Sequence, residues 1–273
     1  MQYAKQFILR PVSAVFAPVF GFGLTASLAL ALTVVSSAAH ADGLSDLKAA
    51  LARLQGQTPL KAVVEAKTWN RQGEGKELEE THGIASVLVE ETGRGLHVLY
   101  SKEMLAKLEA EERLKEKDNK AKTPTLSALS EVNSSALRPM ISAAGGLTRS
   151  MEKATYKSEK LDSFNGKPAR LLSFELSIDK LSEKDRKYMK KFDGNLDIWI
   201  AADGTPLASR QTQAISGRAF IVISFEMKNE EEWIYSTLGD RLIALKKESK
   251  NSGSGMGEKG EGKVTKTLQL QAL

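Results

Sequence analysis

Apolar and polar positions alternate along most of the chain from residue 60 onward, and one long block interrupts the alternation. Leu60 to Trp69 (LKAVVEAKTW), Glu79 to Glu91 and Leu96 to Tyr100 repeat apolar residues at the strand period, the pattern of a sheet with a buried face. A polar loop from Arg71 to Lys76 and the turn Thr92-Gly93-Arg94-Gly95 separate these runs. Together they predict a three-strand meander. Just upstream, Leu44, Leu47, Leu51 and Leu54 fall at helical spacing, so Ser45 to Leu54 reads as a short amphipathic helix ended by Gly56.

The interruption runs from about residue 102 to 151. Pairs such as Glu103/Lys107, Glu109/Arg113 and Glu111/Lys115 stand four apart, which supports a solvated helix over Lys102 to Lys122. A second helical zone, Leu126 to Met151, is expected to break at Pro139, with Met140, Ile141, Leu147 and Met151 facing inward. Strand patterning then returns. Tyr156 to Phe164 and Ala169 to Ile178 flank Asn165-Gly166, and Leu196 to Ala201 leads into Asp203-Gly204 and Leu207 to Ile215. Both dipeptides are strong hairpin signals. A short charged helix is expected over Ser182 to Lys191, a turn at Ser216-Gly217, and strands at Ala219 to Met227, Trp233 to Leu238 and Leu242 to Glu248. The Gly/Ser/Lys tract from Lys250 to Gly262 reads as a flexible loop before a last strand, Val264 to Leu270. Nine to ten hairpin-linked strands with helices in inserted blocks predict a mainly β (α+β) domain. Its expected form is a curved antiparallel sheet or open half-barrel with a helical plug.

Residues 1–41 belong to a different class. Lys5 and Arg10 are their only charges, residues 11–39 are uncharged and rich in Phe, Val, Leu and Ala, and Ala39-His40-Ala41 gives a small-x-small site. These are the three regions of a secretory signal, so cleavage near Ala41 and a periplasmic or secreted location are expected. The apolar stretch is also long enough to stay as an anchor, in which case membrane contact would come only through it. Residues 42–273 are read as one β-rich domain, with a formal charge of +3 against +5 for the whole chain. That small, scattered excess argues against a nucleic-acid partner.

Candidate chemistry is sparse. The chain has no cysteine, which removes thiolate catalysis and thiolate metal sites. His82 and His97 lack any paired ligand spacing, so no metal or other cofactor is expected. Gly255 to Gly260 matches GxGxxG, but a strand-like run follows where a phosphate loop needs a helix. No GxSxG occurs, and the SxxK sequences at Ser45 and Ser150 lack their partner motifs. Abundant carboxylates, among them Glu77, Glu79, Glu80 and Glu230 to Glu232, leave an acid–base hydrolase open, with no catalytic residue singled out. The apolar pattern says more: Phe220 to Phe225 and Leu196 to Ile200 are apolar on both faces. The second face must therefore be covered, by helices or by an apolar ligand.

The segment Trp199-Ile200-Ala201-Ala202-Asp203-Gly204-Thr205-Pro206-Leu207, set among a signal, a first helix, a meander and a helical plug, resembles the periplasmic lipoprotein-carrier-like half-barrels. That group includes outer-membrane lipoprotein carriers, periplasmic stress sensors and mycobacterial lipid carriers. The resemblance implies a non-enzymatic module holding an acyl chain, lipoprotein or other envelope component in a concave apolar face. Trp199, Phe220, Val222, Phe174 and Met140 are the ligand-facing candidates on that reading. The other reading left open is an envelope structural or protein-interaction module whose sheet is fully packed and takes no ligand.

Overall fold

The computed structural model describes residues 42–180, 183–219, 223–255 and 258–272. The N-terminal signal-like segment and Phe220 to Val222 lie outside the described residues. In chain order the first elements are α1 (Gly43–Arg53), β1 (Leu60–Gln72), β2 (Glu79–Thr92) and β3 (Gly95–Leu99). Four helices follow: α2 (Lys102–Lys117), α3 (Pro124–Ser130), α4 (Ser134–Ile141) and α5 (Ala144–Glu152). Then come β4 (Ala154–Phe164), β5 (Lys167–Leu176), α6 (Glu183–Arg186), β6 (Met189–Ile200), β7 (Pro206–Ala219), β8 (Ile223–Leu238), β9 (Arg241–Gly255) and β10 (Glu258–Leu270).

All ten strands join one antiparallel sheet in the order β3-β2-β1-β10-β9-β8-β7-β6-β5-β4. The sheet is open, because β3 and β4 are its edges. It is also curled. Helix α5 touches both β4 and β9, which stand five places apart. In a flat sheet that is about 24 Å, whereas nine helical residues span only about 13 Å. Helix α4 likewise touches both β9 and β3. The helices therefore sit in the hollow of a curved sheet, and the expected open half-barrel with a helical plug is what the chain forms.

The core lies between that hollow and the helices. Leu47 and Leu51 of α1, Leu137 and Met140 of α4 and Leu147 of α5 meet Val64, Val87, Leu172, Ile198 and Leu242 of the sheet. The backbone there is closed in an unusual way. Pairing between β9 and β10 stops at Lys246–Thr267, so the first residues of β9 lack a strand on that side. The helix connectors take its place. The Leu242 amide donates to the Leu54 carbonyl at 3.0 Å, and the Leu242 carbonyl accepts from the Ala143 amide at 2.9 Å. The chain ends of α1 and α5 thus satisfy backbone groups that a buried strand cannot leave unpaired. Beside them Arg241, 2% exposed, pairs with Glu91 at 2.5 Å and donates to the Gly56 carbonyl.

Four expectations change. Over its described residues the Lys250 to Gly262 tract is not a loop: it belongs to the distal halves of β9 and β10, with Gly253 opposite Gly260. Ser216-Gly217 is not a turn but lies inside β7, where Gly217 faces Phe225. A Cβ there would sit 2.0 Å from the Tyr188 carbonyl oxygen, so glycine serves close approach, not reversal. The strand expected at Ala219 to Met227 begins on the last residue of β7, and from Ile223 it continues without a break into the strand expected at Trp233 to Leu238, as one β8. Pro139 does not break its helix, which runs on to Ile141; the breaks fall at Glu131 to Asn133 and at Ser142-Ala143, the second where the chain turns to bond Leu242.

The β6–β7 turn supports α1. Gly204 has a φ of +82°, and an added Cβ would meet the Asp46 carbonyl oxygen at 2.3 Å. Gly204→Ala should therefore cost at least about 2 kcal/mol in urea unfolding. Gly166→Ala, with similar φ but open space around it, should cost only about 1 kcal/mol. Equal losses would show that contact with α1 does not matter at Gly204.

Candidate functional site

The apolar stripe of α1 is laid across the end of the sheet by contacts at both helix ends. Asp42 caps the N-terminus by accepting from the Leu44 amide. The Gly43 amide donates to Glu159 at 2.9 Å, and Arg170 reaches Asp46 at 2.7 Å, Glu159 at 3.5 Å and the Ala202 carbonyl at 3.1 Å. The C-terminal end is held by Leu242 and by the Gly56 amide, which donates to the Asp240 carbonyl at 2.8 Å.

Between α1, α5 and strands β4 and β5 this arrangement leaves a half-open cleft of about 590 Å³. Leu44 and Leu51 form one wall, Met151 another, and Ala154, Tyr156 and Phe174 the sheet side. Tyr156 and Phe174 pack edge to face, with centroids 5.5 Å apart. Lys48, Gln55 and Glu152 stand among the polar residues of the cleft.

The concave face changes character along its cross-strand rows. One row reads Tyr156, Phe174, Leu196, Gln211, Glu231, Ser249, Val264 and Thr68 from β4 to β1. It is apolar through β6 and polar from β7 onward except at Val264. Here Ser209 bonds the buried Tyr235 hydroxyl at 2.8 Å. Burial drives the Tyr235 phenol well above its ordinary range; the Ser209 bond opposes this and the Glu231 charge adds to it. Glu231 accepts from the Trp233 indole at 2.6 Å and from Lys247 at 2.7 Å. Lys266, 4% exposed, donates to both the carbonyl and the carboxylate of Glu131 at the end of α3. Burial holds its pKa below the ordinary lysine value, against the pull of Glu131.

The sequence candidates separate. Phe174 lines the cleft. Met140 of α4 is fully buried against the sheet and fills the core, so it presents no surface to a ligand. Trp199 faces the other way. Its sheet neighbours are Leu171 and Ala208, its indole donates to Asp162 at 3.0 Å, and its ring tilts against Phe164. Strand alternation puts it on the convex face, so it has no part in a concave site. Phe220 and Val222 lie outside the described residues. Leu44, Leu51 and Met151 were legible as helix stripes but carried no sign that the stripe stays partly open.

The remaining chemistry is dispersed. His82 pairs with Glu80 at 2.9 Å on the surface. Among the described residues no group of three or more His, Asp or Glu side chains is placed to hold a metal ion. Glu230 and Glu232 pair with Arg210 on the convex face while Glu231 points inward, so the glutamate run is split between the two sides.

No family model matches the chain, and no curated protein matches it closely. Among solved structures, a LolA superfamily protein from Nitrosomonas europaea is similar at 9% identity, with 85% of this chain and 95% of that one covered and a TM-score of 0.26. So loose a likeness transfers no residue roles.

Two outcomes check this geometry. Arg170→Met leaves Asp46 and Glu159 facing each other without their cation, and should cost about 2 kcal/mol, with amide exchange in α1 rising most. Tyr235→Phe should cost about 1 kcal/mol near neutral pH. Because the folded state holds a phenol proton that the unfolded chain releases, wild type should lose stability relative to Tyr235→Phe as pH rises above about 10.

Proposed function

We propose that this is an exported, non-catalytic binding protein of the bacterial envelope that holds the apolar chain of an amphiphile, an acyl chain or lipoprotein, between α1, α5 and the β4–β5 end of the sheet. The cleft there carries the proposal. It is walled by Leu44, Leu51, Met151, Tyr156 and Phe174, opens to solvent, and at about 590 Å³ falls within the roughly 300–1,000 Å³ of small-molecule sites. A protein folded only for packing would close such a space, because apolar lining atoms gain contacts when it fills.

Export is supported by the three-part N-terminal segment. No helix among the described residues is long and apolar enough to cross a membrane. A carrier role without chemistry is supported by the charged groups around the concave face, which are engaged with one another: Glu231 with Lys247, and Lys266 with Glu131.

Ala52 is exposed on α1 and lines the cleft, so its replacement can block the space without touching the core. Ala52→Trp should weaken binding of a fluorescent fatty acid at least about tenfold, equivalent to about 1.4 kcal/mol, with unfolding unchanged. If the wild-type protein takes up neither fatty acids nor lipopeptides, the acyl-carrier reading fails and the protein-interaction module replaces it.

A further inference from the structure

The neighbouring row of the concave face, beyond the helices, carries a second set of groups with a different chemistry. Gln213, Asn229, Asn251 and Asn70 stand directly across β7, β8, β9 and β1, with Gly262 of β10 between the last two. Gln211 and Ser249 flank them on the adjoining row. These residues line a groove of about 340 Å³. A Cβ on Gly262 would lie 2.3 Å from the Asn251 side-chain oxygen and 3.1 Å from that of Asn70. Glycine there lets the two carboxamides lean together, which is a reason for glycine inside a strand.

Two features define what this groove fits. Among the described residues no hydrogen bond engages the amide groups of Gln211, Gln213, Asn229, Asn251 or Asn70, so each offers both donors and an acceptor. Glu231 is the charged side chain that points into the groove, and it is already compensated by Lys247; Glu230 and Lys250 border it from the convex face, paired there with Arg210 and Glu248. A charged headgroup would find no opposite charge and would have to be desolvated against neutral amides. A polyhydroxylated, uncharged group matches, because each hydroxyl both donates and accepts as a carboxamide does.

We infer that the carboxamide row binds a neutral sugar headgroup of the amphiphile whose apolar chain enters the cleft; this rests on the proposed function for the chain and adds the headgroup. The connection is the row already described. It runs from Tyr156 and Phe174 in the cleft through Leu196, which is buried in the core, to Gln211. Leu196 and Gln211 together line a small pocket of about 110 Å³ with Leu147 and Ser150 of α5, and Gln211 and Phe174 are two strands apart, about 10 Å. Apolar and polar surfaces thus follow each other at the scale of one amphiphilic molecule.

The test compares decyl maltoside, decanoate and free maltose below micelle-forming concentrations by calorimetry, with the side-chain amide signals followed by NMR. Decyl maltoside should bind about tenfold tighter than decanoate, the effect of one or two net hydrogen bonds. The amide signals of Gln213, Asn229 and Asn251 should shift with decyl maltoside and not with decanoate. Asn229→Ala/Asn251→Ala, both on the open face, should remove the difference and leave decanoate affinity unchanged. Equal affinities, or tighter decanoate, would overturn the headgroup inference while keeping the acyl cleft. Maltose binding with no binding of either decyl compound would keep the sugar site and overturn the cleft. Failure of all three would overturn both.

Discussion

The fold depends on how the start of β9 is completed. β10 leaves β9 beyond Lys246–Thr267, and a buried strand edge at that point would strand its amide and carbonyl groups at a cost of roughly 1–3 kcal/mol each. Leu242 hands its amide to Leu54 and its carbonyl to Ala143. The end of α1 and the start of α5 are therefore part of the sheet's hydrogen bonding as well as lids upon it. This fixes where both helices lie, and the space between them follows. Arg241, buried against Glu91 and the Gly56 carbonyl, locks the same corner to the far side of the meander.

From that corner the chemistry of the concave face divides. A ten-stranded sheet has more surface on one side than α1, α3, α4 and α5 can cover, and uncovered strand positions must be compatible with water. The covered rows carry Val64, Val87, Leu172 and Ile198. The uncovered row carries Gln213, Asn229, Asn251 and Asn70. The convex face holds its own polar order, in which Glu248 draws Lys246, Lys250 and Lys263. Burial opposes ionisation of Glu248, yet these three ammonium groups hold its pKa down to about 2. The lysine cluster around Glu248 on one side and the row of neutral amides on the other make these parts of the two faces electrostatically distinct, although the concave face also holds the Glu231–Lys247 and Lys266–Glu131 pairs.

Much of this order was legible in the sequence wherever local chemistry decides. Leu44, Leu47, Leu51 and Leu54 mark α1, and Asn165-Gly166 and Asp203-Gly204 mark hairpins because they occupy positive φ at Asn165, Gly166 and Gly204. What could not be read depends on partners distant in sequence. Gly217 looks like a turn until Tyr188 and Phe225 are seen against it. The Gly/Ser/Lys tract looks like a loop because its stability comes from pairing across β8 and β10, which composition does not register. Trp199 reads as a ligand-facing candidate, but strand alternation puts it on the convex face, where Asp162 and Phe164 of β4 hold its ring. The cleft was hidden for the same reason: a helix stripe shows which side is apolar, not how closely the opposite wall approaches.

The two halves of the face also differ in what holds them. The helix-covered half is fastened by a continuous apolar cluster and by backbone bonds from three separate segments. Among the described residues, distal β7 to β10 rest on strand pairing and exposed ion pairs such as Arg210–Glu230 and Lys250–Glu248, with glycines at 253, 260 and 262 that contribute no side-chain packing. Local opening follows the density of buried apolar contacts, so opening there is less costly than at the β9 corner. On the proposed binding role, that difference would let an apolar chain sit in a fixed cleft while the neighbouring strands adjust to what the chain carries.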